Sequence, residues 1–151
     1  MKLYRIAKKA YIDDLSGEGA RMYGGRWNRK GTSVIYTAEN RSLATVEYLV
    51  HVPMTLIPRD TYIAELSLPK ETAYDQIETT ALPKHWASYP APLALAEIGE
   101  AWVKRDAKLL LKVPSAVVRE EWVILINPKH KLFSELRITR VEAYSFDKRL
   151  L

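Results

Sequence analysis

Five of the six glycines of the chain fall within residues 13–31, in the segment DDLSGEGARMYGGRWNRKG. Glycine permits tight turns and lets a backbone approach a ligand closely, so we expect a long functional loop here. The segment lies between the short strand candidate LYRIA and the apolar run SVIYTA at residues 33–38, which is predicted to be a buried strand. Its glycines do not form GxGxxG, and there is no Walker lysine motif, so conventional dinucleotide and triphosphate folds are disfavoured.

The remaining pattern mixes helices and strands without a regular alternation. Asn40 or Ser42 is a candidate cap for a helix over residues 41–51, and Pro92 begins a second helix within residues 91–105. Further strands are predicted at residues 61–68, 109–114, 122–127 and 137–146, where β-branched and apolar residues dominate. This order predicts an α+β fold rather than a doubly wound parallel sheet.

Length and composition predict one domain over residues 1–151. A chain of 151 residues with 48% hydrophobic and 27% charged residues can bury its own core, and no internal repeat or linker divides it. It has no cysteine, no secretory signal pattern and no apolar stretch of membrane-spanning length, so we expect a cytoplasmic protein without membrane contact. The net charge of +5 favours anionic partners, and the three histidines have no metal-ligand spacing, so no metal is expected.

The motif GGRWN contains the first candidate site residue, Arg26. Paired glycines allow close approach to a ligand, and the following planar guanidinium suits bidentate contact with a diphosphate. The alternative is a tight turn with a surface arginine and a core tryptophan. The five residues alone do not decide between the two.

Glu47 is the second candidate, because its carboxylate falls on an apolar helical stripe. Leu43, Val46 and Val50 lie at −4, −1 and +3 from it. A glutamate rarely faces inward without a partner or a function. The alternative is a carboxylate at the rim that pairs with an arginine.

Three polar residues in or after predicted strands are weaker candidates. Tyr36 could present its ring to a flat heterocycle or simply belong to the core. Ser115 could bond a ligand at a strand end or cap a turn, and no GxSxG elbow marks it as a nucleophile. Asn127 most simply ends its strand, with a functional amide as the alternative.

Taken together, several segments resemble the RES family, whose name refers to an arginine, a glutamate and a serine. Those three residues match Arg26, Glu47 and Ser115, and the resemblance runs from Tyr4 to about Phe133. It implies a fold similar to ADP-ribosyltransferase toxins, with a split mixed β-sheet and flanking helices. The segments are YRIA, GEGARMYGGRWNRKGTSVIYTAENRSLATVEYLVH, LPKHW, IGEAW, VPSAVV and INPKH.

The resemblance also implies an activity. Members of the family are toxins that consume NAD as a substrate, so the expected reaction cleaves the nicotinamide–ribose bond by phosphorolysis or hydrolysis, with inorganic phosphate as co-substrate in the first case. An ADP-ribosyltransferase acting on a protein target is the alternative. No cofactor is implied. Arg26, Glu47 and Ser115 are implied to be the catalytic residues. Arg26, Tyr36 and Ser115 are also implied to bind NAD, and Arg5 and Asn127 match two further positions of the NAD pocket.

The expected partner is a helical, Xre-like antitoxin that covers the active site and provides the only contact with DNA. A homodimer within that complex is left open. The chain departs from the family pattern at Arg119, Val123 and Ile124, where a proline and an Asn-Tyr pair often stand. Two functions of other classes remain as alternatives. One is an RNA-directed toxin, which arginines near aromatic residues favour, and the other is an inactive binding module.

Overall fold

The computed structural model describes residues 1–53, 55–56 and 59–151. In this part of the chain, three helices and seven strands form an α+β fold with a mixed sheet, as predicted. None of the described helices has the length and apolar character needed to cross a bilayer. The elements are β1 (Lys2–Lys8), α1 (Glu18–Tyr23), β2 (Ile35–Ala38), α2 (Arg41–Leu49), β3 (Thr61–Ser67), β4 (Tyr74–Gln76), α3 (Leu93–Arg105), β5 (Leu110–Pro114), β6 (Trp122–Ile126) and β7 (Arg137–Ala143).

The sheet has the strand order β4-β5-β6-β2-β1-β3-β7, and β4 and β5 form its parallel pair. Its two halves meet between β1 and β2, where the registered pair is Tyr4 with Ala38. By contrast, β1 and β3 are in register over seven residue pairs. Adjacent strands that pair over so short a length can diverge. The weak pairing of β1 with β2 therefore corresponds to the split in the sheet that the resemblance implies.

Strands β5 and β6 separate two apolar clusters because successive side chains of a strand point to opposite faces. Ile124 and Ile126 belong to the cluster that contains Leu3, whereas Val123 and Leu125 belong to the cluster that contains Trp27. The second cluster also contains Leu95 and Trp102, so helix α3 covers that face. Burial of both faces explains the continuous apolar run WVILI in β6.

Helix α2 begins as the sequence predicts. Of the two candidate caps, Asn40 is the residue used, because its side chain accepts a hydrogen bond from the Leu43 N–H at 2.7 Å. The helix ends at Leu49, two residues before the predicted end. Leu43 is buried against the sheet, so the following turn carries Glu47 towards the space between the sheet halves.

The prediction of one long loop over residues 13–31 was wrong in part, because helix α1 forms inside it. Gly17 stands at its N-terminus with a φ of 74°, and Gly24 ends it with a φ of 72°, both in the region that favours glycine. The N–H of Gly24 donates to the Ala20 carbonyl at 2.8 Å and closes the last turn. Strand β4 was also not predicted.

Candidate active site

A cavity of about 730 Å³ opens where β1 and β2 diverge. Parts of β1, β2, α2, the GGRW segment and the loops around residues 87–89 and 114–117 line it. The volume lies within the usual range for small-molecule sites. Of the predicted site residues, Arg5, Arg26, Tyr36 and Glu47 line this cavity.

The structure brings Glu47 and Ser115 together although 68 positions separate them in the chain. The Ser115 hydroxyl donates to Glu47 Oε1 at 2.6 Å and accepts from the N–H groups of Val117 and Val118 at 3.1 and 2.9 Å. Because Ser115 is only 3% exposed and its single proton goes to the carboxylate, it holds Glu47 in a fixed orientation. This geometry suits a serine that positions a carboxylate rather than one that attacks a substrate.

Arg26 is presented by a tight turn in which Gly25 and Asn28 form an antiparallel bridge. Its neighbour Trp27 is buried and anchors the turn in the core. Arg26 is half-buried, and its Nη1 donates to the carbonyls of Trp86 at 2.8 Å and Ser88 at 3.0 Å. Because a guanidinium has five N–H groups, the two bonds from Nη1 do not use the three N–H groups of Nε and Nη2, which could bind an anion.

Two opposing effects act on the pKa of Arg26. Burial lowers it, whereas the negative charge of Glu47 raises it. A guanidinium stays protonated at physiological pH even after such a decrease. The cavity therefore holds a permanent cation within electrostatic range of the Glu47 carboxylate.

Asn28 is a residue to which sequence reasoning gave no separate function. Its side chain is 1% exposed, and Nδ2 donates to the carbonyls of Ala20, Arg29 and Thr32 at 2.8–3.1 Å. Its Oδ1 accepts from the Tyr36 hydroxyl at 2.8 Å, and that hydroxyl accepts from the Trp27 N–H at 3.0 Å. Asn28 and Tyr36 therefore fix the turn that carries Arg26. The Asn in GGRWN was the only signal for this in the sequence.

Tyr36→Phe is expected to destabilise the protein by about 2 kcal/mol, because it leaves a buried amide oxygen and a buried N–H without their shared partner. Burial raises the pKa of the Tyr36 hydroxyl, so the group keeps its proton and remains a donor. Tyr4→Phe is the control, since its hydroxyl makes only a 3.4 Å contact with Glu65. Equal urea denaturation midpoints for the two variants would contradict the expected difference.

Arg5 reaches the cavity, but its guanidinium is bound to the protein itself. It donates to the Asp14 carbonyl at 2.5 Å and to the Tyr11 carbonyl at 3.1 Å. Burial lowers the pKa of Arg5, and the charges of Asp14 and Asp13 oppose that shift. Arg5 therefore supports the loop beside the cavity, and fewer of its N–H groups can reach a ligand.

The structure does not bring Asn127 to the cavity. It follows β6, whereas Ser115 lies beside the start of that strand, because Pro114 pairs with Trp122. Five strand residues separate the two ends by roughly 16 Å. The Asn127 side chain donates to Asp106 at 2.8 Å and accepts from the Lys129 N–H at 3.0 Å, so it holds the turn after β6.

Other polar groups around the site carry less information. His51 lies four residues after Glu47, just beyond the end of α2, and lines the cavity. Among the described residues, no group of three or more His, Asp or Glu side chains could hold a metal ion. The departures at Arg119, Val123 and Ile124 follow Ser115, and of these Val123 lines the cavity.

The fold and the cavity define a class: an α+β protein in which an arginine and a glutamate from distant segments line one cavity and a serine from a third segment holds the glutamate. The model of the RES domain matches residues 2–147. The chain belongs to the RES-domain family.

Two curated relatives are each 36% identical to the chain. One is the Prs ADP-ribosylating toxin of Sphingobium sp. (strain YBL2), with 98% of this chain and 95% of that protein covered. The other is Toxin Res of Yersinia enterocolitica, with 99% of each covered. The crystal structure of the Mycobacterium tuberculosis MbcT–MbcA toxin–antitoxin complex contains a similar chain, with a TM-score of 0.76, 18% identity, and coverage of 95% of this chain and 84% of that one. At that identity the likeness supports the fold alone.

Proposed function

We propose that this protein is the toxin of a type II toxin–antitoxin module and that it breaks the nicotinamide–ribose bond of NAD in the cytoplasm. The observation that carries the proposal is the meeting of Arg26 with the Ser115-bound carboxylate of Glu47 in one cavity. The names of the two relatives, an ADP-ribosylating toxin and a Res toxin, support it.

The proposed chemistry needs one cation and one anion. Arg26 binds the diphosphate through Nε and Nη2, while the carbonyls of Trp86 and Ser88 hold its other side. Glu47 contacts the ribose next to nicotinamide. The bond between ribose C1′ and the ring nitrogen breaks, its electron pair stays on the departing nicotinamide, and the sugar becomes oxocarbenium-like. The fixed carboxylate stabilises this cation more than the ground state.

An acceptor oxygen then forms the new bond to C1′, and if that oxygen belongs to water or a hydroxyl group its proton is released to solvent. Three acceptors fit this chemistry. Phosphate would give phosphorolysis, water would give hydrolysis, and a protein side chain would give ADP-ribosylation. The test is incubation of purified protein with NAD, with and without inorganic phosphate, followed by chromatography of nicotinamide and the ADP-ribose product. Phosphate-dependent loss of NAD would indicate a phosphorylase. Intact NAD would contradict the proposal and favour an RNA-directed or binding function.

Arg26→Lys is expected to raise the KM for NAD about tenfold, since lysine keeps the charge but loses the planar fork that can bind two oxygens. The effect on kcat should be smaller if the diphosphate contact is equally strong in the ground and transition states. Arg29→Lys is the matched control, because Arg29 pairs with Glu97 at the surface and does not line the cavity. Steady-state kinetics with both variants measure the difference, and equal KM values would remove Arg26 from the diphosphate site.

Transfer to a protein target is the second candidate, and the mouth of the cavity favours it. Val50 and Val117 line the cavity and are partly exposed, so a macromolecular surface could reach the site. The Sphingobium relative is named for ADP-ribosylation of Prs. NAD labelled in its ADP-ribose part would distinguish the three reactions. Transfer leaves the label on protein, whereas hydrolysis and phosphorolysis leave it on small molecules.

The partner proposed is an Xre-like helical antitoxin that covers the cavity and inserts an acidic or carboxylate-bearing segment towards Arg26. The antitoxin, and not this protein, would contact DNA. Two copies of the toxin could form a dimer within the complex. The M. tuberculosis crystal structure is likewise that of a toxin with its antitoxin. Co-expression and purification test this, since a complex that turns over NAD as fast as the free protein would contradict inhibition by occlusion.

A further inference from the structure

Tyr89 is an aromatic residue at the cavity mouth that the proposed chemistry does not use. It is 87% exposed, the highest value among the described large hydrophobic side chains that lie at the surface, and it lines the same cavity as Arg26 and Glu47. Sequence reasoning gave it no function. An exposed ring beside a binding cavity can stack on a flat ligand at little cost in conformational entropy.

The segment that contains Tyr89 is attached to Arg26. Arg26 Nη1 donates to the carbonyls of Trp86 and Ser88, so Tyr89 directly follows a residue that Arg26 holds. The Trp86 side chain packs against the apolar cluster that contains Trp27 and Trp102, and it anchors the start of this segment. A ligand group next to the Arg26 guanidinium is therefore within reach of the Tyr89 ring.

Exposure increases from the serine that holds Glu47, through Arg26, to Tyr89. Ser115 is 3% exposed, Arg26 is half-buried and Tyr89 is almost fully exposed. NAD is a linear arrangement of nicotinamide, ribose, diphosphate, ribose and adenine. With the first ribose at Glu47 and the diphosphate at Arg26, the adenine end points towards the mouth.

We infer that Tyr89 stacks on the adenine ring of NAD and determines the affinity for the adenosine half of the substrate. This inference rests on the proposed function. Alanine substitution of a residue that stacks on a base weakens binding by about tenfold or more. Tyr89→Ala should therefore raise the KM for NAD about tenfold and change kcat little, and Tyr89→Phe should restore the wild-type KM.

The experiment compares steady-state kinetics of the full-length wild type and the two variants with NAD and with nicotinamide mononucleotide, which has no adenine. Tyr89→Ala is expected to leave kcat/KM for the mononucleotide unchanged. Tyr74→Ala is the control, because Tyr74 is also an exposed tyrosine but lies on β4, where it pairs with Leu110 far from Pro114 and the cavity.

An unchanged KM for NAD in Tyr89→Ala would overturn the inference, and so would equal losses with both substrates or a loss that Tyr89→Phe does not restore. If the wild type does not turn over the mononucleotide, the role of Tyr89 is tested by the KM for NAD alone. That KM should rise in Tyr89→Ala and return to the wild-type value in Tyr89→Phe. A wild-type protein that leaves NAD intact would instead overturn the proposed function, so the two failures are distinguishable.

Discussion

Glu47→Gln is expected to reduce the rate of NAD consumption by roughly a hundredfold or more, which is typical when one preorganised electrostatic group is removed from an active site. Glutamine has nearly the same shape and can still accept the hydrogen bond from Ser115, but it has no charge to stabilise the cationic ribose. The loss should therefore fall mainly on kcat. Release of nicotinamide, followed by chromatography, is the measurement.

The control for this prediction is Glu97→Gln on helix α3. Glu97 is exposed and pairs with Arg29 at the surface, where an ion pair contributes little. Circular dichroism and thermal unfolding of both variants should match the wild type. Turnover by Glu47→Gln within a few-fold of the wild type would contradict the assignment of Glu47 and leave the diphosphate contact of Arg26 to be tested separately.

Local periodicity predicted most elements of the fold. The strand over residues 61–68 and the helices around residues 41–51 and 91–105 are present with shifts of one or two residues, because apolar spacing and capping residues act over short distances. The long strand predicted for residues 137–146 ends at Ala143. There Tyr144 and Phe146 turn to an edge-to-face contact with each other, and Phe146 stacks on Tyr48.

Two elements were missed because groups outside the elements themselves stabilise them. Helix α1 has six residues, too few to be stable alone, and it is held by the Asn28 side chain, which bonds the Ala20 carbonyl. Strand β4 has three residues, and its pairing with β5 fixes it. No pattern within such short segments distinguishes them from a loop.

The candidate site was likewise predicted only in part. The sequence indicated which residue types could do the chemistry, and the structure brings Arg26, Tyr36, Glu47 and Ser115 together. The sequence could not indicate which polar side chains form hydrogen bonds within the protein and are therefore less able to bind a ligand. The guanidinium of Arg5 is bound by backbone carbonyls, and the amide of Asn127 holds a turn, because these partners become neighbours only in the folded chain.

Gly99→Ala is the substitution expected to cost the most stability, about 3 kcal/mol, because helix α3 contacts the Arg26 turn at this glycine. A Cβ at position 99 would lie 1.8 Å from the carbonyl oxygen of Trp27, whereas ordinary contacts begin at 3.4 Å. The helix and the turn must therefore separate by more than an ångström. For a domain of this size, the loss corresponds to a decrease in Tm of roughly 10 °C.

Gly19→Ala is the matched control, because a Cβ there meets no atom within 4 Å and alanine favours the helix α1. Differential scanning calorimetry should show a stability equal to or above the wild type for Gly19→Ala and a large loss for Gly99→Ala. NAD turnover by Gly99→Ala, measured below its Tm, should also fall, since moving Trp27 moves the adjacent Arg26, and a shift of about 1 Å can cost a hundredfold in rate. Equal stability of the two variants would show that α3 does not fix the turn, and the orientation of Arg26 would then depend on Asn28 and Tyr36 alone.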